Sequence, residues 1–165
     1  MKKVMTLLVS LMLAGCTRIG VKQEEPKEET IEKQVIVNCQ NDKQEEILFY
    51  AKDDKVYAMQ YTFYQTVQEF TSSLDIEGQL TQDELLNRIN DTLSDKYKDI
   101  KGVSVIGEIE EENIKYIMMI DFDEADIDQL IEHGLINAGE VQSQYISLKE
   151  TRKAYQNIGF ACKEQ

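Results

Sequence analysis

From Val35 onward apolar and polar residues alternate with a period of two, the pattern of strands that bury one face. Val35, Val37 and Cys39 fall on one side of a first expected strand, and Asn41-Asp42 supplies turn chemistry. Ile47, Phe49 and Ala51 line a second strand, with Lys52-Asp53-Asp54-Lys55 as the next turn. Val56 to Tyr64 runs as a third strand, rich in Tyr and Phe. Turns this short permit only antiparallel pairing, so the segment predicts a three-stranded meander. In the third strand Tyr57, Met59, Tyr61 and Phe63 share one side, and Val56, Ala58, Gln60, Thr62 and Tyr64 share the other. The first side is expected to be core. If helices leave the mixed second side partly uncovered, it is a candidate recognition surface; sheet-to-helix packing is the plainer expectation.

The period changes after Thr81. Thr81-Gln82-Asp83-Glu84 is a capping box, in which threonine and glutamate satisfy two orphan amides at a helix start. The helix that follows presents Leu85, Ile89, Leu93 and Tyr97 at i+4 spacing and is expected to end near Lys98. Val103 to Ile109 and Ile114 to Phe122 then form a hairpin turned at Glu111-Glu112-Asn113. Asp123 is expected to cap a short helix carrying Ile127, Leu130 and Ile131, stopped by Gly134. Ser147-Leu148-Lys149-Glu150 is a second capping box. It opens a last helix with Leu148, Thr151, Tyr155 and Ile158 on one face, ending at Gly159. Phe160 to Cys162 is a short apolar tail. The expected class is α+β: an antiparallel sheet, built from the meander and a second hairpin, with about three helices packed on it.

The N-terminus follows neither period. Lys2 and Lys3 precede an apolar run from Val4 to Leu13, of signal-peptide length and too short to span a bilayer. The run closes on Leu13-Ala14-Gly15-Cys16, which reads as a lipobox: cleavage between Gly15 and Cys16, and lipid attachment (palmitate) at Cys16. The expected organisation is a cleaved lipoprotein signal peptide over 1–15, a lipidated N-terminus and tether over 16–34, and one domain over 35–165. The tether is nearly all polar, and as a coil of 18 residues its reach is roughly 23 Å. The expected location is the extracytoplasmic face of the cell membrane, held by the lipid.

Charge narrows the partners. The chain carries −13, and −15 once Lys2 and Lys3 leave with the signal peptide. So acidic a protein is unsuited to nucleic acid, which demands cationic side chains against phosphate. It is equally repelled by an anionic membrane surface, which leaves the lipid to carry the attachment.

Four segments, in order, resemble a known family. They are Asp95-Lys96-Tyr97-Lys98-Asp99-Ile100-Lys101-Gly102-Val103, Asp121-Phe122-Asp123-Glu124-Ala125-Asp126, Ile146-Ser147-Leu148-Lys149 and Ile158-Gly159-Phe160. Together, behind a lipobox, they are similar to the YehR-like lipoproteins, whose domain has no assigned function. The resemblance covers roughly residues 35–163. It implies a small, lipid-anchored α+β domain and supplies no reaction, substrate or catalytic residue.

The residues themselves offer little chemistry. Outside the cytoplasm, Cys39 and Cys162 read first as a disulfide, with two buried thiols as the alternative. The run Asp121, Asp123, Glu124, Asp126 and Asp128 lacks the glycine and distal glutamate of a calcium loop, and reads as a helix cap with acids suited to the dipole. Glu108, Glu110, Glu111 and Glu112 read as a solvated hairpin tip. His133, the sole histidine, stands at a helix C-terminus with no companion for zinc or for a catalytic triad. No catalytic, cofactor-binding or metal-binding residue is therefore assigned, and no cofactor is expected. The leading expectation is a non-enzymatic envelope module that binds a protein or small ligand. The alternatives are an extracytoplasmic hydrolase using carboxylates and a weak cation binder.

Overall fold

Residues 34–76, 78 and 80–165 are described by a computed structural model. Gly15, Cys16 and nearly all of the expected tether lie outside them. The alternation of the meander becomes strands β1 (Gln34–Gln40), β2 (Glu46–Lys52) and β3 (Lys55–Thr66). The later hairpin becomes β4 (Val103–Glu110) and β5 (Asn113–Asp121). Two short strands, β6 (Val141–Gln142) and β7 (Tyr145–Ser147), follow, and the apolar tail is a strand, β8 (Ala161–Glu164). All pairings are antiparallel, in the order β4-β5-β3-β2-β1-β8, with β7 bound to the start of β3. The class is α+β.

Four helices accompany the sheet: α1 (Val67–Ser73), α2 (Gln82–Tyr97), α3 (Ile127–Glu132) and α4 (Leu148–Asn157). Both amides of the Thr81–Glu84 capping box are satisfied at α2. At α4, Ser147 Oγ accepts from the Glu150 amide, but its own hydroxyl donates to Asp54 Oδ2 at 2.8 Å, which ties the helix start to the β2–β3 turn. Asp54 also accepts from the Lys149 amide at 2.9 Å.

All four helices pack on one face of the sheet. Ile89 and Leu93 of α2 sit on β4 where Gly107 leaves room; a Cβ there would stand 2.3 Å from Ile89. Phe70 of α1 joins Ile114 and Tyr116 in the same cluster. Tyr155 of α4 lies 5.4 Å from Phe49 and 5.3 Å from Phe160, ring centre to ring centre. Leu130 of α3 is fully buried in the larger cluster with Val37, Ile47 and Ile120.

Three expectations are corrected. The pairing of β2 with β3 slips between Tyr50 and Ala51, so that Ala51 faces Val56 while Tyr50 faces Ala58. This bulge puts Val56 in the core and brings Tyr57 beside Tyr50, their rings 6.5 Å apart, away from Met59 and Tyr61. The cap of α3 is Asp126, whose carboxylate accepts from the Asp128 and Gln129 amides. Asp123 instead pairs with Lys55 at 2.8 Å. Ile158 lies beyond α4 and is 70% exposed, because the helix ends before its face comes round again.

Cys39 and Cys162 are bonded to each other. They are register partners in the β1–β8 ladder with Cα atoms 4.0 Å apart, so the pairing of the strands brings the two side chains together. The Gln165 amide donates to the Ile36 carbonyl at 2.9 Å, which holds the last residue against β1.

Candidate binding surfaces

No helix covers the second face of the sheet among the described residues. Ile36 of β1, Leu48 and Tyr50 of β2, Ala58 and Tyr64 of β3, Ile117 and Met119 of β5 and Ile106 of β4 fall on it by register. Ile106 is 51% exposed, and Ile36, Tyr64 and Met119 each over a third. Among the described residues, four of the seven exposed large apolar side chains thus share one face, a concentration that a scattering of single surface residues does not explain.

The charges on this face are largely absorbed locally. The carboxylate of Glu46 accepts from Asn38 and Gln40, both at 2.7 Å. Lys115 sits 3.1 Å from Glu110 and 3.9 Å from Glu108. The hydrogen bond to Glu110, and then the Glu110 charge, raise the Lys115 pKa, keeping it cationic. The open face thus carries exposed apolar side chains, with Glu46, Glu108, Glu110, Lys115 and Asp121 on the same side by register.

A second feature lies on the helical side, at the β4–β5 turn. There α1, the start of α2 and the hairpin tip enclose an open groove of about 1040 Å³. Val67, Leu80, Leu85 and Ile109 supply its apolar lining, and Glu111 and Glu112 stand on its rim. The Val67 amide donates to the Glu112 carbonyl at 2.9 Å, which fastens the hairpin tip to the helix. Thr66 and Glu69 form a capping box at α1. Those hydrogen bonds hold the Glu69 carboxyl below its usual range.

The residues weighed for chemistry do not converge. Asp121 accepts from the Asp123 amide, Asp123 pairs with Lys55, and Asp126 caps α3, so these three acids of the run point to separate partners. Among the described residues no group of three or more His, Cys, Asp or Glu side chains is placed to hold a metal ion. His133 is the exposed C-cap residue of α3. Glu108 and Glu110 belong to Lys115, which leaves Glu111 and Glu112 as the acids on the groove. Neither the groove nor α1 has a periodic signature along the sequence. The one local signal was Thr66-x-x-Glu69, hidden at the end of an aromatic, β-branched run.

Three tyrosines are shielded. Tyr61 is pushed up to about 12, first by burial and then by the charge and hydrogen bond of Glu45. Burial also raises Tyr116, and burial with the nearby Glu140 charge raises Tyr155. A raised phenol favours the neutral form, so its contribution is intact below about pH 10, the unfolded range. For Tyr61 it is lost as pH climbs through about 12. In a near-ultraviolet titration, three of the eight tyrosines should ionise late, together with alkaline unfolding. All eight titrating together in a still-folded protein would contradict the packing described.

An antiparallel α+β domain with one helix-covered face and one open face, free of any convergent catalytic cluster among its described residues, is the class that this architecture defines. The model of the family described as Protein of unknown function (DUF1307) matches residues 32–161, and the chain belongs to that family. The fold is similar to the NMR structure of E. coli YehR protein, at 18% identity and a TM-score of 0.51, covering 81% of this chain and 90% of that one. It is also similar to the NMR structure of a protein from Streptococcus pneumoniae TIGR4, at 13% identity and a TM-score of 0.52, covering 99% and 100%. No match is found among curated proteins.

Proposed function

We propose that this protein is a lipid-anchored extracytoplasmic module that binds another envelope component through the open face of its sheet. The observation that carries the proposal is the set of exposed apolar side chains around Ile106, Met119 and Ile36, left uncovered while the helices among the described residues pack on the other side. Burying these side chains removes apolar area from water at about 25 cal/mol per Å². The lipobox supports the location: an anchor at Cys16 would hold the domain near the membrane and raise the effective concentration of partners there.

Two experiments test the two parts. Labelled palmitate should enter the chain in cells and be lost in Cys16→Ser; continued labelling of that variant refutes the anchor. A photo-crosslinking residue at position 106 should give a discrete adduct that Met119→Glu abolishes, while the same residue at position 133 gives none. Equal adducts from both positions, or none from position 106, refute the binding face.

A further inference from the structure

We propose that the groove between α1, α2 and the β4–β5 turn is a separate binding site for a small cationic amphiphile, one with an apolar stem and an ammonium head. Val67, Leu80, Leu85 and Ile109 come from four different elements or connections and converge on one cleft. Leu80 is 36% exposed, an apolar side chain kept at the surface beside this cleft. The volume, about 1040 Å³, is at the large end for ligand pockets, typically about 300–1000 Å³.

Charge decides the head group. Among the described residues the lining holds two carboxylates, Glu111 and Glu112, and no Lys, Arg or His. The nearest lysine along the hairpin, Lys115, is held by Glu110 and Glu108. The Glu69 carboxylate is occupied by the Thr66 amide and hydroxyl at 3.0 and 2.9 Å. Glu111 and Glu112 make no ion pair among the described residues, and the Val67–Glu112 backbone bond fixes the turn that carries them at the mouth. An anionic head would meet two uncompensated charges there. An ammonium head would be attracted while its stem covers Leu85 and Ile109.

The test uses the full chain carrying Cys16→Ser, so that no anchor lipid competes for the probes. Dodecylammonium, dodecyl maltoside and dodecyl sulfate share one stem and differ in the head; each is titrated below its micelle-forming concentration while backbone amide shifts are recorded. Dodecylammonium should bind saturably, shifting Val67, Thr71, Leu85 and Ile109, ahead of the maltoside and far ahead of the sulfate. Glu111→Gln with Glu112→Gln should weaken the ammonium about tenfold, two exposed charges each contributing up to about a factor of five. Maltoside binding should stay unchanged. Gln68→Lys, which leaves the hairpin intact, should weaken the ammonium and strengthen the sulfate. Equal affinity for all three heads, shifts centred elsewhere, no saturable binding, or indifference to both variants would each overturn the site. Because the open sheet face is not part of the groove, failure here leaves the crosslinking result at position 106 to stand or fall by itself.

Discussion

Replacing Cys39 and Cys162 together by alanine should cost the protein several kcal/mol. The bond spans a separation of 123 residues, and in the chain-entropy model a loop of that size restrains the unfolded chain by up to about 5 kcal/mol. Ordinary domains are stable by about 5–15 kcal/mol, so this one bond is a large share of the total. The thermal midpoint should fall by about 10 °C or more. The loss should also have a location. Only four residues of β8 pair with β1, and beside the disulfide the strand is supported by that ladder, the burial of Phe160 against Tyr155, the Arg152 guanidinium donating to the Cys162 carbonyl at 3.4 Å, and the last amide on Ile36. Hydrogen exchange should therefore speed up first over Ala161–Glu164 and along β1, before the β3–β5 ladder responds. An unchanged midpoint in the double variant would show that the ladder suffices without the bond.

The second large effect is expected at Gly102. Its φ is +75°, and a Cβ there would lie 2.7 Å from the Asp121 carbonyl oxygen and 2.8 Å from the Ala125 nitrogen. These are backbone atoms engaged with each other, since the Ala125 amide donates to the Asp121 carbonyl at 2.9 Å. The Asp121 amide in turn donates to the Gly102 carbonyl at 2.8 Å, so neither strand can retreat without breaking the junction. Gly102→Ala should cost about 1–2 kcal/mol for the left-handed backbone and a further ~1–3 kcal/mol for the forced shift. Gly134→Ala is the control. Its φ is +68° with nothing within 4 Å, so only the conformational part should appear. Chemical denaturation that found the two variants equally destabilised would remove the close approach at Gly102 as a cause.

Two of the stretches that resemble the family come together at Gly102. Asp95–Val103 and Asp121–Asp126 meet at this junction, the first delivering α2 into β4 and the second turning β5 toward α3. The third stretch, Ile146–Lys149, is tied through Ser147 and Lys149 to Asp54. The fourth, Ile158–Phe160, brings Phe160 onto Tyr155. All four thus lie at junctions between elements.

What could be read along the chain was what repeats locally. The alternation from Ile114 to Phe122 and the i+4 series from Leu85 to Leu93 each bury one face, so their periods are written into the residues. The bulge near Tyr57 was not readable, because an extra residue in an aromatic and β-branched run leaves no compositional mark. Helix α1 buries Phe70 alone and so has no period to show. Strands β6 and β7 span two and three residues and exist only by pairing. The groove draws on residues 66–71, 80–85 and 109–113, segments that become neighbours only after the sheet and helices are assembled. The uncovered face was legible as a pattern along β3, but which side the helices would choose was a tertiary decision. Gly107, which admits Ile89, helps make it.

The β1–β8 pairing has a mechanical consequence. Strand β1 is the first described element, and it lies between β2 and β8 rather than at the rim of the sheet. Tension entering at Gln34 runs along β1, while the ladder bonds on both of its sides lie across the pull and must yield in shear together. Cys39, near the far end of the strand, passes the remaining load through a covalent bond to β8. A domain tethered through this end would resist being unzipped strand by strand, and would hold its shape under drag or while a partner is pulled away.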